Sequence, residues 1–412
     1  MDSQLIPQGL ERTSIRNFAL WQIPWLGLLG FGLLGAFFCL FYGLNRTGMN
    51  DYFAFGIWIV FDLVVIALGA GAFFTGFLTY ILGKEELKSI ISLAVVIGFI
   101  CYSSALAMLA IDIGQPLRFW FILWHSNVHS MLTEVSFCIT VYFMVLTIEY
   151  IPNILENRKL NKVPEFKFFA HNLHEIMFVF AATGTFLSFF HQGSLGGMFG
   201  VLEARPFAGR AMFAIWPTTF PLFIISAVAA GPCFTLLIAS LMEKIGGKRL
   251  VTDEAKQLLA RISGGVLAVY IVLKIIDTIA WIYGPAHNAG FSLGDFYRAG
   301  PYGIWLLYAE IGLLGILPAV LLNIPSIRKN NTWLIISALL TCAGVIMNRF
   351  VMVIETLAIP VLPFEKFVGY LPTWQEWSIT LAVLGYAGLI LSLSYRYLPV
   401  FPNEKELNAS ES

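Results

Sequence analysis

The chain has 412 residues, of which 58% are hydrophobic, 15% are aromatic and only 12% are charged. The core of a soluble protein of this length cannot bury so much apolar surface, so the composition excludes a soluble domain and indicates an integral membrane protein. Lys plus Arg and Asp plus Glu number 25 each, which gives a formal charge of zero. The chain therefore lacks the basic surplus that is typical of proteins that bind nucleic acids or other polyanions.

Apolar segments recur along the whole chain. A helix needs roughly 20 apolar residues to cross the hydrocarbon core, and about ten segments reach that length. The sequence thus predicts an all-α integral membrane protein, organised as one polytopic membrane domain over residues 1–412. The predicted helices lie near residues 20–44, 52–82, 89–111, 130–150, 173–192, 213–242, 262–285, 303–324, 332–358 and 377–397.

The first apolar segment, near 20–44, is too long for the apolar region of a signal peptide. No small-residue cleavage site follows it. We therefore expect this segment to be retained as the first membrane helix.

The connecting segments predict the orientation in the membrane. Lysine and arginine are roughly three times as frequent in the segments on the side of the termini as in those on the opposite side, and the positive-inside rule places such segments in the cytoplasm. Both termini are therefore predicted to be cytoplasmic. The opposite loops are long and rich in Gly, Pro and aromatic residues, which favours a folded outer surface that docks a partner protein.

Ionisable side chains within the predicted helices cost a few kcal/mol each near the bilayer centre unless they are paired or hydrated. Carboxyl groups outnumber the bases among them, which favours proton exchange, although a buried ion pair that fixes helix register is the alternative for any single residue. Lys274 and Asp277 lie three residues apart on one helix face, where they can neutralise one another. The predicted proton pathway consists of Asp62, Glu134, Asp277, Glu310, Arg349, Glu355, His174 and Glu175.

Small residues and cysteines have structural interpretations. The glycines Gly69, Gly71 and Gly76, with Ala67, indicate a helix that is closely approached by a neighbouring helix or by a flat ligand, and close packing is the preferred interpretation. The five cysteines stand singly in apolar segments without the spacing of a metal site, so we expect free core residues and no bound metal.

Three stretches of the sequence resemble one family of respiratory membrane subunits. They are FGIWIVFDLVVIALGAGAFFTGFLTYILGKEE in helix two, DIGQPLRFWFILWHSNVHSMLTEVSF between helices three and four, and SFFHQGSLGGMF at the predicted end of helix five. They are similar to the NrfD/PsrC family, the membrane subunits of polysulfide-reductase-type complexes. The number of helices resembles the longer branch, with its HybB-like and QrcD-like subunits. One departure is Gln115, at a position where the family often has an arginine.

The resemblance implies a function and an arrangement of the helices. It implies two four-helix bundles, helices two to five (about 52–192) and six to nine (about 213–358), flanked by helices one and ten. It implies a subunit in the bacterial inner membrane that binds a quinone, either menaquinone or ubiquinone, and carries no haem or iron-sulfur cluster of its own. Electrons would come from a periplasmic iron-sulfur, ferredoxin-like subunit. Further redox subunits would be a multihaem cytochrome, a molybdopterin-type subunit or a hydrogenase.

Quinone reduction needs a hydrogen-bond donor to a carbonyl and a path for protons. Histidine suits the first task because its pKa lies near physiological pH. His191 is expected to end helix five at the outer face, where it would donate to the quinone. A helix end that meets water is the alternative for this histidine. The predicted quinone-binding residues are His191, Gln192, Ser194, Asp112, Arg118, His129 and Glu134.

Two other classes of protein stay open at this point. A haem-bearing cytochrome b-type anchor would need pairs of histidines that face each other on helices. Of the six histidines, however, His125, His129 and His287 fall in predicted loops. A secondary transporter would show internal repeats and matching broken helices. The GPC stretch at 231–233 is expected to break helix six, but the sequence offers no matching break.

Overall fold

The computed structural model describes residues 5–7, 12–203, 219–281, 283–284, 287, 306–358, 366 and 368–402. These residues are predominantly helical, and no β-strand occurs among them. The α-helices that correspond to the ten predicted segments are labelled α1 to α10 in chain order. They are α1 (Ile15–Tyr42), α2 (Ile57–Gly76), α3 (Ile91–Asp112), α4 (Met131–Leu155), α5 (Met177–Glu203), α6 (Thr219–Gly246), α7 (Asp253–Trp281), α8 (Leu317–Asn323), α9 (Asn331–Phe350) and α10 (Trp374–Tyr397).

Shorter helical pieces continue or connect the long ones. A π-helical stretch, Phe77–Ile81, extends α2. Another, Leu306–Ile316, precedes α8, and a further one, Val351–Glu355, extends α9. The short α-helices in the connections are Phe121–Trp124, Pro164–Glu175, Pro325–Arg328 and Thr356–Ala358. The 3₁₀ turns are Leu44–Arg46, Glu85–Ser89, Pro116–Arg118 and Leu160–Lys162.

The described helices have the length and composition of membrane spans. Eight of them are long and apolar enough to cross a bilayer, and the pair Pro164–Leu173 and Met177–Phe199, bent by 54°, makes up to nine. Tyr308–Asn323 is a shorter apolar helix at the predicted position of helix eight. The predicted all-α membrane fold is therefore confirmed, with an eighth helix that is shorter than expected.

The helices pack in two rings of four. In the first ring α2 contacts α3, α3 contacts α4, α4 contacts α5 and α5 contacts α2. In the second ring α6, α7, α8 and α9 contact one another in the same cyclic order. Helix α1 packs along α10 and leaves large apolar side chains such as Leu33 and Phe41 exposed, as expected for a lipid-facing surface. This is the arrangement of two bundles with two flanking helices.

The two bundles meet where α2 crosses α6. A Cβ atom on Gly71 would lie 2.5 Å from the carbonyl oxygen of Gly231, and a Cβ on Gly231 would collide with the backbone of Gly71. The close packing predicted at Gly71 is therefore present, and it requires glycine on both helices. Helix α6 runs unbroken from Thr219 to Gly246 with Pro232 inside it, so the predicted break at 231–233 is wrong. A membrane helix tolerates an internal proline where neighbouring groups compensate for the lost backbone bond.

The cysteines occupy the positions expected of core residues. All five are free, Cys138 is half-buried and the other four are buried. The prediction of unpaired packing residues is confirmed.

Candidate functional site

Polar side chains fill the centre of the α2–α5 bundle. We call them the α2–α5 polar cluster, and each is at most 3% exposed. Burial of polar groups among apolar helices is costly unless the groups are hydrogen-bonded, so such a cluster points to function. Its members are Asp62 on α2, Tyr102 on α3, Tyr142 on α4, and Ser188, His191 and Gln192 on α5.

Tyr102 lies in the middle of this cluster. Its hydroxyl is 3.2 Å from the hydroxyl of Ser188. Its ring meets the ring of Tyr142 edge-on with 4.5 Å between the centroids, and its centroid lies 6.0 Å from that of His191. The side chains from α3, α4 and α5 thus converge on one point of the bundle.

Several atoms of the cluster make no hydrogen bond of ordinary geometry with the described residues, although Tyr142 lies close to Ser188, Gln192 close to Tyr102, and His191 close to the backbone of Val135. They are Oδ1 of Asp62, the hydroxyl of Tyr142, both ring nitrogens of His191, and the amide oxygen and nitrogen of Gln192. A buried polar group without a partner costs about 1–3 kcal/mol, so native proteins rarely retain so many in one place. Donors and acceptors that converge in this way are suited to bind a small polar group or to move protons.

The structure corrects the expected position of His191. Helix α5 does not end near residue 192 but runs to Glu203, so His191 lies well inside the helix and is 0% exposed. Neither predicted alternative, a helix end that meets water or a histidine at the membrane surface, describes it. The serine–glycine run after it is typical of a helix terminus in a soluble protein, but small residues are common inside membrane helices because they let neighbours approach.

The other predicted quinone-binding residues divide into two groups. Asp112 ends α3, is half-buried, has an Oδ1 atom without a partner among the described residues and interacts electrostatically with Asp62. Ser194 is buried, but its hydroxyl donates to the carbonyl of Phe190 at 2.7 Å within the same helix. The remaining three do not join the cluster, because Arg118 and His129 are exposed in the α3–α4 connection and Glu134 is partly exposed in the first turn of α4.

Two buried tyrosines and a half-buried glutamate of the α2–α5 bundle escaped the sequence analysis. Tyr102 and Tyr142 were missed because tyrosine in an apolar helix is usually a packing residue. Glu149 lies half-buried on α4 and interacts electrostatically with Tyr142. Its charge inside an apolar run was a visible signal that could have found it.

Glu376, also missed, is the centre of a clamp between three chain segments. Its carboxylate accepts hydrogen bonds from the backbone N–H of Gly48 at 2.7 Å and from the backbone N–H of Thr373 at 2.9 Å. It also accepts from the hydroxyl of Tyr370, which in turn accepts from the N–H of Ile57 at 2.8 Å. Burial, followed by the hydrogen bond to Glu376, raises the pKa of Tyr370. The capping-box sequence Thr-Trp-Gln-Glu predicts part of this arrangement.

A second set of buried polar groups occupies the α6–α9 bundle, and we call it the α6–α9 polar network. The Lys274 ammonium lies 3.7 Å from Oε1 of Glu310. The same oxygen accepts a hydrogen bond of 2.7 Å from Asn348, whose amide oxygen accepts one of 2.6 Å from Arg349. Arg349 also donates to the hydroxyl of Ser226 at 3.0 Å. Ser226 lies on α6, so Arg349 on α9 takes a partner from another helix.

The remaining members of the predicted proton pathway are scattered. Glu175 is exposed and pairs with exposed His171 at 3.6 Å. Asp277 is buried on α7, three residues after Lys274. The side chains of His174 and Glu355 lie outside the described part of the chain. Within that part no three His, Cys, Asp or Glu side chains come together as metal ligands would.

The fold and the two polar sets define a class: a polytopic helical membrane protein with ionisable groups enclosed in each of two bundles. The chain belongs to the NrfD family, because the family model described as polysulphide reductase, NrfD, matches residues 45–361. The resemblance of the three quoted stretches is thereby confirmed.

Several known proteins are similar over nearly their full length. The chain is 52% identical to the menaquinone reductase integral membrane subunit of Nitratidesulfovibrio vulgaris, over 99% of this chain and 98% of that protein. It is 23% identical to a selenate reductase subunit of Mesobacillus selenatarsenatis, over 92% of this chain and 93% of that protein. It is 26% identical to the probable Ni/Fe-hydrogenase 2 b-type cytochrome subunit of Escherichia coli, over 89% of this chain and 88% of that protein.

Proposed function

We propose that this protein is the quinone-interacting integral membrane subunit of a respiratory reductase complex. It exchanges electrons between a periplasmic iron-sulfur partner subunit and the menaquinone pool, with protons supplied through its helices. The α2–α5 polar cluster is the observation that carries the proposal. The 52% identity to a menaquinone reductase membrane subunit supports menaquinone over ubiquinone.

A quinone head group presents two carbonyl oxygens, which accept hydrogen bonds and become hydroxyls when the ring takes up two electrons and two protons. The buried side chains of His191 and Gln192 make no hydrogen bond of ordinary geometry with the described residues. Their looser contacts, to the backbone of Val135 and to Tyr102, can give way to a carbonyl oxygen, so both side chains can donate to a quinone. Because these donors are already desolvated and held by packed helices, they lose little freedom on binding. His191 and Gln192 are therefore the proposed contacts to the quinone.

Protons must reach the ring as it is reduced. Asp62 lies in the same bundle, and its electrostatic partner Asp112 lies at the end of α3, closer to the membrane surface. We propose that Asp112 exchanges protons with the surface and that Asp62 passes them to the cluster. Tyr102 and Ser188, with hydroxyls 3.2 Å apart, complete the route toward His191.

Arg118 and His129 have a different proposed role. Both are exposed in the connection between α3 and α4, together with large apolar side chains such as Leu117 and Trp124. If that connection faces the periplasm, as the distribution of Lys and Arg predicts, it is a suitable surface for the iron-sulfur subunit. These two residues would then contact the partner rather than the quinone.

The function is tested with the intact complex purified in mild detergent together with the subunits that accompany it. Reduction of a menaquinone analogue is measured with the physiological electron donor, and reduction of a soluble dye by the same donor serves as the control. The proposal expects both reactions. A complex that reduces the dye but never a quinone would contradict it.

The second candidate is a cytochrome b-type anchor, favoured by the name of the Escherichia coli relative. The expectation that the chain holds no haem stays a prediction, and the optical spectrum of the isolated subunit tests it. A strong Soret band that co-purifies with this chain would favour the cytochrome.

A further inference from the structure

Two arginines meet at the end of the protein where α1 begins and α10 ends. Arg12 precedes α1, and Arg396 lies in the last turn of α10. The Arg396 guanidinium donates from Nη1 to the backbone carbonyl of Thr13 at 2.9 Å, which keeps it next to the start of α1. The two cations are close enough to act on each other electrostatically, and like charges repel. An anion bound between them would relieve that repulsion.

Both guanidinium groups lie against aromatic rings. The Cζ atom of Arg12 is 4.1 Å from the ring centroid of Tyr395, and that of Arg396 is 4.6 Å from the ring centroid of Phe18. A guanidinium that stacks on a ring presents its N–H groups at the edge of the stack, in a planar fork that matches the oxygen atoms of a phosphate. The rings thus hold the two cations in place without neutralising their charge.

Arg12 has no carboxylate partner in the described part of the chain. Tyr395 and Arg396 are the titratable groups that act on it, and its contact with the Tyr395 hydroxyl is a loose one. Its Nε atom is buried and makes no hydrogen bond of ordinary geometry with the described residues. Burial is the largest effect on the pKa of Arg12 and lowers it, but an arginine stays charged in proteins. A half-buried cation of this kind is stabilised when an anion completes its contacts.

The charge around this pair is also positive. The first turn of α1 carries the exposed Arg16 and no acidic residue. After the end of α4, the side-chain amide of Asn157 donates to the backbone carbonyl of Tyr397 at 2.6 Å, and the exposed Lys159 follows two residues later. The neighbouring acid, Glu156, is half-buried. The exposed charge of these described residues therefore complements an anion.

The position along α1 places the arginines at the depth of lipid head groups. Trp21 lies five residues after Arg16, which corresponds to about 7.5 Å along the helix. Trp21 is exposed, and its Nε1 donates to the hydroxyl of Ser392 at 3.1 Å. Tryptophans of this kind mark the interface between the membrane and water. The next exposed side chains along α1, Ile23 and Leu26, are apolar and suited to contact acyl chains.

We propose that Arg12, Arg16 and Arg396 bind the phosphate of an anionic phospholipid, whose acyl chains lie along the exposed apolar face of α1. Phosphatidylglycerol and cardiolipin both present a phosphodiester with a net negative charge. Phosphatidylcholine carries a cation next to its phosphate, which the arginines repel. The lipid binds where α1 packs along α10, away from the two bundles. The site is therefore independent of the proposed quinone chemistry.

The test is native mass spectrometry of the delipidated intact complex, which gives the apparent Kd of the first phosphatidylglycerol that binds. The wild-type complex should bind phosphatidylglycerol more tightly than phosphatidylcholine. Arg12→Gln should weaken phosphatidylglycerol binding about fivefold, the factor expected for one basic side chain near a membrane surface, and should leave phosphatidylcholine binding unchanged. Lys88→Gln, which alters an exposed base already paired with Glu85, is the matched control and should bind both lipids as the wild type does.

Equal affinities of the wild type and Arg12→Gln for phosphatidylglycerol would overturn the site, and so would equal affinities of the wild type for the two lipids. Inorganic phosphate is the competing probe. If it displaced phosphatidylglycerol at the same concentration, the arginines would bind a free anion rather than a lipid, and the proposal would be wrong. If Arg12→Gln fails to assemble, Arg16→Gln, at an exposed position, serves instead. It should weaken binding by a similar factor, and an unchanged Kd would likewise contradict the proposal.

Discussion

Oε2 of Glu376 accepts a hydrogen bond of 2.7 Å from the backbone N–H of Gly48, a residue 328 positions earlier in the chain. The same carboxylate is held by Thr373 and Tyr370, so a single buried group ties the α1–α2 connection to the start of α10. A carboxylate with this many donors is stable in a buried place only while every donor remains.

We therefore expect Glu376→Ala to lower the thermal unfolding midpoint of the purified subunit, since it leaves several buried donors unpaired at about 1–3 kcal/mol each. Glu376→Gln retains one acceptor oxygen and should lie between the wild type and Glu376→Ala. Glu175→Ala, at an exposed position, is the control and should leave the midpoint unchanged. Equal midpoints for Glu376→Ala and the control would show that the clamp does not contribute.

His191→Ala tests the proposed quinone contact. Loss of a donor worth roughly 1–3 kcal/mol should raise the apparent KM for quinone or lower kcat by about tenfold or more. Dye reduction by the assembled complex should be unchanged. If quinone kinetics were also unchanged, the contacts would have to be sought near Gln192 and Asp112.

Asp62→Asn tests the proposed proton route. The substitution keeps the size of the side chain but removes the titrating group, so quinone reduction should slow at alkaline pH, where protons are scarce, more than at acidic pH. Glu85→Gln alters an exposed carboxylate outside the predicted pathway and is the matched control. A complex with Asp62→Asn that kept the wild-type pH profile would exclude Asp62 from the route.

Gly231→Ala tests the contact between the bundles. The new methyl group would collide with the backbone of Gly71, and relief of such overpacking typically costs about 1–3 kcal/mol. Gly27→Ala on α1 is the control, since nothing lies within 4 Å of a Cβ there. The thermal midpoint should fall for Gly231→Ala alone. Equal midpoints would show that the two helices can separate without loss.

The predicted orientation can be checked with reporters fused after Ser412. A fluorescent protein that matures in the cytoplasm should be active there, whereas alkaline phosphatase, which is active only outside, should be silent. An active phosphatase fusion would invert the membrane sidedness and place the Arg118 and His129 connection in the cytoplasm.

The sequence predicts the fold well because the signals are local. Helix length and composition depend only on consecutive residues, so the sequence could predict the membrane helices and the close packing at Gly71. The sequence could not predict where α5 ends. The Gly and Ser residues after His191 allow close helix packing in this protein, whereas in other proteins such residues terminate a helix. Local sequence cannot distinguish those two uses.

The site was predicted only in part, for a related reason. Asp62, His191 and Gln192 stood out as polar residues in apolar runs, and the structure brings them into one bundle. Tyr102 and Glu376 did not stand out, because their roles depend on partners that are distant in the chain. Ser188 lies 86 residues from Tyr102, and Gly48 lies 328 residues from Glu376. Pairings of that kind follow from helix packing and not from spacing.

The contact between Gly71 and Gly231 also limits how a long lipophilic ligand can lie in this protein. Where the backbones of α2 and α6 touch, no hydrocarbon chain fits between the two bundles. Helix α4 is far more exposed, since 33% of its most apolar window is buried against 94% for α2. If the quinone head group binds at His191 as proposed, we expect its isoprenoid tail to leave the protein on the exposed α4 side, directly into the lipid.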